Sequence, residues 1–347
     1  MQYTIVKKEK LPKSEFLVEL SIPPEEIRLH EDHVLSDMAL HAELPGFRKG
    51  RVPKEMLRSR MGETALFADA AMDALKHALG EIIETEKLEV IGTPKVDALK
   101  LAAGNEAVFR ITLTLLPKLT LPDYKDLAKK ENGVPEEVPE VTEKEVEEVI
   151  AEIDKQQQAE TGNKEFRLTD ENIGKFGLPA GADSTQAGPF ATLAEVRTKI
   201  KGDLEIQKKQ RTTEKRRIKL LERLRNESSG DIPELLIETE LQKMEAEFKG
   251  ELERMGISWE NYLREIKKDT DTLRKEWRKN AKERALLDAV LFTIAKQEHL
   301  TATEPEIERE AGHIKEHYPE ADMESARRFV EVMLVKGKVM AFLEGIH

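Results

Sequence analysis

The chain has 347 residues, of which 36% are charged, 39% apolar and 5% aromatic, and its net charge is −12. That balance excludes a general affinity for nucleic acid, which needs concentrated positive charge, and favours solvent-bathed helices over a thick sandwich or barrel. The absence of cysteine excludes disulfides, thiolate zinc sites and cysteine nucleophiles, and points to a reducing, cytoplasmic setting.

In chain order, Tyr3 to Val6 and Phe16 to Ile22 read as short strands, the second by its alternation of apolar residues. Pro23-Pro24-Glu25-Glu26 opens a helix running to about Ala42, because proline is tolerated in a first turn and carboxylates suit its positive end. After a Pro45-Gly46 turn a second helix is expected from about Lys54 to Lys87, with an apolar stripe of Leu66, Ala70, Leu75, Leu79, Ile82 and Ile83. Strands resume at Val90-Ile91 and from Val108 to Leu116, so the first third is an α+β unit in which strands from both ends pair. A charged, proline-punctuated connector follows from Leu121 to Gln158, with a helix starting at the capping box Thr142 to Glu145. Beyond the break at Thr161-Gly162-Asn163-Lys164 comes a short helix, then a glycine- and proline-rich loop from Gly177 to Pro189.

From Leu193 onward the pattern is helical: Leu193 to Asn226, a restart at Asp231-Ile232-Pro233, then about Ser258 to Lys268, Asp271 to Glu298, Thr303 to His317 and Met323 to Glu344. Ile237, Leu241, Met244, Phe248, Leu252 and Met255 step by three or four residues along one helix face. The fold class expected is an α+β N-terminal domain with split strands and long helices, joined to a mostly α-helical C-terminal domain in an elongated, multi-domain chain. The domains divide as 1–120, a linker with a helix at 121–165, and 166–347. Nothing in the chain approaches the roughly 18 apolar residues of a membrane span, and the first eight residues lack the apolar core of a signal peptide.

The segment richest in chemistry is Leu44-Pro45-Gly46-Phe47-Arg48-Lys49-Gly50-Arg51-Val52-Pro53, whose glycines and prolines demand an ordered loop presenting Phe47 and its cations. Between Gly46 and Arg60 stand six cations and one anion, net +5, so the remainder of the chain carries −17. A basic tip on an acidic body suits docking on a polyanion; a plain solvated loop beside a basic helix face is the alternative. Gly46-Phe47-Arg48-Lys49 with Gly50 and Pro53 resembles the signature loop of bacterial trigger factors, chaperones that dock beside the ribosomal exit tunnel. The resemblance implies ribosome-binding roles for Gly46, Phe47, Arg48, Lys49 and Arg51, the last standing where lysine is also common.

The likeness continues through the linker helix ending Lys155-Gln156-Gln157-Gln158, and resumes at Leu168 to Gly177, which resembles the entry into the family's helical domain. The prolyl-isomerase domain of the FKBP type, which normally lies between, has no room in the few residues from Ala159 to Phe166. The resemblance therefore implies an ATP-independent chaperone of nascent polypeptides, acting in folding and export, without an isomerase active site. Its partners would be a ribosomal protein with adjacent rRNA of the large subunit, unfolded nascent chains, and a second copy when free. No cofactor, membrane or ATP is expected. The cradle for substrate would be drawn from Met244, Phe248, Met255, Phe329, Met333 and Met340, since methionine adapts to varied partners, although each also suits ordinary helix packing.

Three weaker patterns complete the sequence reading. Lys208, Lys209, Arg211, Lys215, Arg216, Arg217, Lys219, Arg223 and Arg225 form a basic stretch that suits RNA or a solvated helix face. Glu310, His313 and His317 could share a helix face, but without a fourth ligand they are expected to hold no metal, and His30 and His33 carry less weight still. No phosphate-binding glycine loop and no nucleophile elbow is present. The rival functions are thus prolyl isomerisation by family membership, and RNA binding.

Overall fold

The computed structural model describes residues 1–43, 47–48, 50–135, 139–173 and 192–347. The first strands, β1 (Thr4–Leu11) and β2 (Glu15–Ile22), lead into α1 (Pro24–His41), α2 (Lys54–Met61) and α3 (Glu63–Thr85), and then β3 (Val90–Lys100) and β4 (Ala107–Leu115). The four strands form one antiparallel sheet in the order β1-β2-β4-β3. Alternation sets the buried face: Phe16, Val18, Leu20 and Ile22 of β2 stand opposite Leu113, Ile111, Phe109 and Ala107 of β4. These residues share a core with Ile27 of α1 and with Phe67, Ala70, Ala71, Ala74, Leu75, Ala78 and Ile82 of α3. The alanines allow α3 to lie close to the sheet, and the aromatic and branched residues come from the strands.

The single helix expected over 54–87 is two. Gly62, with φ of 80°, ends α2 by donating its N–H to Arg58 O at 3.0 Å and begins α3, an angle that an L side chain adopts only at a cost. β3 is longer than the two residues the sequence suggested, and β1 runs five residues beyond Val6. Both are edge strands, and the charged run Lys7-Lys8-Glu9-Lys10 protects one edge from pairing with another chain.

Downstream lie α4 (Tyr124–Asn132), α5 (Glu143–Thr161), α6 (Leu193–Glu227), α7 (Glu234–Arg254), α8 (Trp259–Ile266), α9 (Thr270–Gln297), α10 (Glu304–His317) and α11 (Met323–Glu344). After Lys164 the described residues run as turns and irregular chain to Asn172, a helical turn begins at Ile173, and the rest of the stretch where a short helix is expected, with the loop Gly177 to Pro189, lies outside the described residues. Asp231 does not cap α7; Pro233 occupies that position with no side-chain hydrogen bond. The chain forms two compact units, one of residues 1–121 with 227–336, the other of residues 122–226 with 337–347.

In the first unit α7 packs on α9 through Ile237 and Leu241 against Ala281, Ala285 and Ala289. Carboxylate–arginine pairs flank the seam, Arg274 reaching Glu238 and Glu245 at 2.8 Å each and Arg278 reaching Glu238 at 3.0 Å. In the second unit Val146 and Ile150 of α5 meet Val196 and Ile200 of α6, with Phe166, Leu168 and Ile173 from the turns. Buried Asp154 accepts the Leu168 N–H at 2.8 Å, which fastens those turns to α5.

The capping box at α5 forms as the sequence indicates, and Lys208 of α6 adds a 2.8 Å ion pair to Glu145. The Lys208 ammonium, with the Thr142 backbone N–H and hydroxyl, holds the Glu145 carboxyl down to about 2. A depressed folded-state value stabilises the fold above the ordinary value near 4.5 and loses that stabilisation as the pH falls through 2. In an acid titration followed by circular dichroism, the wild-type protein should therefore lose stability relative to Glu145→Gln between pH 4.5 and 2. Identical pH profiles would show that the pairing contributes nothing to stability.

Candidate functional site

The loop between α1 and α2 is anchored at its far end. Val52 is buried with Leu35, Leu57 and Leu66, so the chain cannot lift away from the helices at that point. Ahead of it, Arg51 donates its backbone N–H to Arg48 O at 2.9 Å, and Gly50 takes the φ of 79° that this tight turn requires. Phe47 is 37% exposed, and Arg48 and Arg51 are exposed as well. Gly46 and Lys49 lie outside the described residues.

The cations of this region divide into two groups. Lys54 pairs with Asp32 at 2.7 Å and Arg58 with Glu31 at 2.8 Å, so both serve to hold α2 on α1. Arg48, Arg51 and Arg60 have no ion-pair partner among the described residues. The loop thus carries an aromatic side chain beside guanidinium groups whose hydrogen-bond donors remain available, an arrangement suited to phosphate or carboxylate oxygens.

The six cradle residues separate by environment. Met244 packs against the α7–α9 seam. Phe248 sits among Tyr262, Trp277 and Trp259, with ring centroids at 5.1, 5.6 and 6.2 Å in edge-on geometry, and so joins α8 to α7 and α9. Met340 is half-buried. Met255, Phe329 and Met333 are exposed, at 71%, 63% and 45%. Phe329, exposed Val332 and Met333 lie three and four residues apart, so they form one exposed apolar stripe on α11, flanking the side on which Ala326 and Val330 are buried.

Sequence reading missed Val332 and also half-exposed Phe292, which with Val332, Val335, Leu236 and Leu291 lines an apolar groove of about 420 Å³. The spacing of Phe329, Val332 and Met333 was the available signal; nothing local marks Phe292, because α9 is apolar on several sides near its end. Lys336 and Asp288, paired at 2.7 Å, border the groove.

Part of the basic stretch of α6 is engaged within its own unit. Arg217 meets Glu344 at 2.7 Å, and Lys219 and Arg223 meet buried Glu131 at 3.0 and 2.7 Å. Burial alone would raise the Glu131 carboxyl, but hydrogen bonds from Arg223 and Lys219 outweigh it and hold the group below its usual range. His313 Nδ1 lies 3.6 Å from Glu310, and His317 does not join them in a three-group cluster.

Two family models described as bacterial trigger factor protein match the chain, the N-terminal one over residues 4–153 and the C-terminal one over residues 192–343. Curated trigger factors from Halalkalibacterium halodurans and Bacillus licheniformis are each 24% identical to it, over alignments covering 90% of this chain and 90% and 92% of theirs. Those alignments run over 387 and 388 positions, more than the 347 residues here, so the relatives carry stretches that this chain lacks. A solved structure, from work on promiscuous substrate recognition in folding and assembly activities of the trigger factor chaperone, matches the whole chain in both directions with a TM-score of 0.50 and 17% identity, a likeness of fold. No helix among the described residues is long and apolar enough to cross a membrane. The two models leave residues 154–191 between them, and there the described residues form the end of α5 and a run of turns and irregular chain to Asn172. With two domain models covering most of its length and curated relatives aligned across nine-tenths of it, the chain belongs to the bacterial trigger factor family, in a form without the isomerase domain.

Proposed function

We propose that this chaperone docks on the large ribosomal subunit beside the exit tunnel through the loop from Gly46 to Arg51, and covers apolar nascent segments with exposed side chains of its C-terminal helices. The observation that carries the reading is the exposed Phe47 beside Arg48 and Arg51, neither of which has an ion-pair partner among the described residues. An aromatic ring with open guanidinium forks matches a ribosomal surface of protein carboxylates and rRNA phosphates. Met255, Phe329 and Met333, together with Val332, are the cradle candidates that the fold leaves uncovered.

The mechanism is binding without catalysis and without ATP. Dispersed apolar contacts hold a segment weakly, and the segment leaves when burial in its own core is the more favourable. In the free protein a second copy would cover the same apolar surface, so a cytoplasmic monomer–dimer exchange accompanies ribosome release. The RNA-binding alternative draws less support, since Lys208, Arg217, Lys219 and Arg223 already meet carboxylates.

Co-sedimentation with ribosomes tests the docking. The intact protein is expected in the ribosomal pellet, and the variant with Phe47, Arg48 and Lys49 all changed to alanine in the supernatant. Equal pelleting of the two would remove this loop from the interface.

A further inference from the structure

The N-terminal unit carries a second constellation, on the face where α1 meets α3. His30 and His33 are three apart on α1, and Asp73 and His77 four apart on α3, so each helix presents two potential ligands on one side. Packing brings the pairs together. His30 Nδ1 and His33 Nδ1 lie 2.8 and 3.0 Å from the same Asp73 Oδ2, and the His77 ring centroid is 5.2 Å from that of His30 and 6.2 Å from that of His33. Ligand atoms of His30, Asp73 and His77 all fall within 4.8 Å of one another, the only such three-residue group among the described residues.

We propose that His30, Asp73 and His77 bind a divalent transition-metal ion of the zinc class, with His33 in place to supply the fourth ligand. The donor set is the first argument. Imidazole nitrogens with one carboxylate suit zinc, nickel or cobalt, whereas calcium and magnesium require oxygen shells. Geometry is the second. Tetrahedral zinc bonds of about 2.0–2.2 Å place ligand atoms roughly 3.3 Å apart, which the cluster reaches by opening the 2.8 Å His30–Asp73 approach and drawing His77 inward.

The surroundings also fit. Ile27 of α1 and Ala70, Ala71 and Ala74 of α3 lie in one core, so the helices that carry the ligands are held without the metal. Beside the cluster a depression of about 260 Å³ lined by His33, Asp37, Asp69, Asp73 and Lys76 opens to solvent, with three carboxylates against one ammonium to favour a cation's entry. His77 and His33 are exposed and can swing, whereas the His30 and Asp73 side chains are only 15% and 16% exposed and form the fixed base. The ion would clamp α1 to α3 just ahead of the loop that carries Phe47.

Isothermal titration of the full chain, stripped with a chelator and dialysed, with ZnCl₂ and separately with CoCl₂ tests the site. One ion per chain is expected, with the intense visible absorption of four-coordinate cobalt. His77→Ala and Asp73→Asn should each weaken zinc binding by about tenfold or more, while His313→Ala leaves it unchanged. His77 is exposed, so its variant keeps its fold, checked by circular dichroism. No binding at micromolar zinc, binding indifferent to both His77→Ala and Asp73→Asn, or binding lost with His313→Ala would overturn the proposal.

Discussion

Phe109→Ala should destabilise the N-terminal sheet by about 3–5 kcal/mol, the range for deleting a phenylalanine from a core that cannot collapse around the gap. Phe109 has no exposed surface and belongs to β4, a central strand. It stands opposite Leu20 of β2 on one side and Ala98 of β3 on the other. Hydrogen bonds to both neighbouring strands fix the backbone of β4, and half of the buried helical residues in the same core are alanines, whose side chains are too short to fill the space. Two compact units make global unfolding a poor measure, so the effect is best read by hydrogen exchange in peptides from β2 and β4. Those amides should exchange at least a hundredfold faster in the variant. Phe47→Ala, by contrast, removes an exposed ring and should shift the same amides by no more than about 0.5 kcal/mol. A loss below about 1 kcal/mol for Phe109→Ala would mean that the core relaxes into the cavity. The Phe47 control serves the ribosome experiment too, because lost pelleting with an intact core places the defect at the loop.

How much of this was legible in the sequence depended on whether a local signal existed. β2 announces itself because one face is wholly apolar, and α5 and α10 because a capping box and the periodicity agree at their starts. β1 is an edge strand whose charged residues face water on both sides, so no apolar alternation marks it, and its turn places Lys13 and Ser14 at positive φ without the usual glycine. β3 contains Gly92 and Pro94, which read as a turn; in the fold they lie at a register irregularity between Ile91 and Lys95 on an edge, where proline leaves no sheet donor unmet. α4 was hidden in the charged connector, where Asp123 caps it and Glu131 becomes buried only because Lys219 and Arg223 arrive from far along the chain.

The same distinction governs the sites. Phe47, Arg48 and Arg51 share one short loop and could be found as a motif. The constellation His30, His33, Asp73 and His77 could not, because it exists only after α1 packs on α3. Nor could periodicity separate Phe248 from Phe329: both sit on amphipathic helices, and only the arrival of Trp259, Tyr262 and Trp277 around the first decides that it is internal.

That separation makes the last prediction specific. Phe329→Gln with Met333→Gln should leave the fold intact and lower the capacity to keep an unfolded protein from aggregating. Both side chains are exposed and neither belongs to the cluster around Ala326 and Val330, and glutamine is a good helix former, so stability should change by no more than about 0.5 kcal/mol. Fully burying a phenylalanine or methionine contributes about 1.5–3 kcal/mol, and a mobile client covers each only in part. Losing both contacts should still weaken client binding by about 1.4 kcal/mol or more, which is tenfold. Light scattering of a chemically denatured enzyme diluted into the variant should then require roughly ten times the wild-type chaperone concentration for equal suppression. Phe248→Gln supplies the contrast, since it should loosen α8 and lower stability by disrupting the aromatic cluster. If the α11 pair suppresses aggregation as well as the wild type, clients are held elsewhere, and the groove lined by Leu236, Leu291 and Phe292 becomes the surface to alter next.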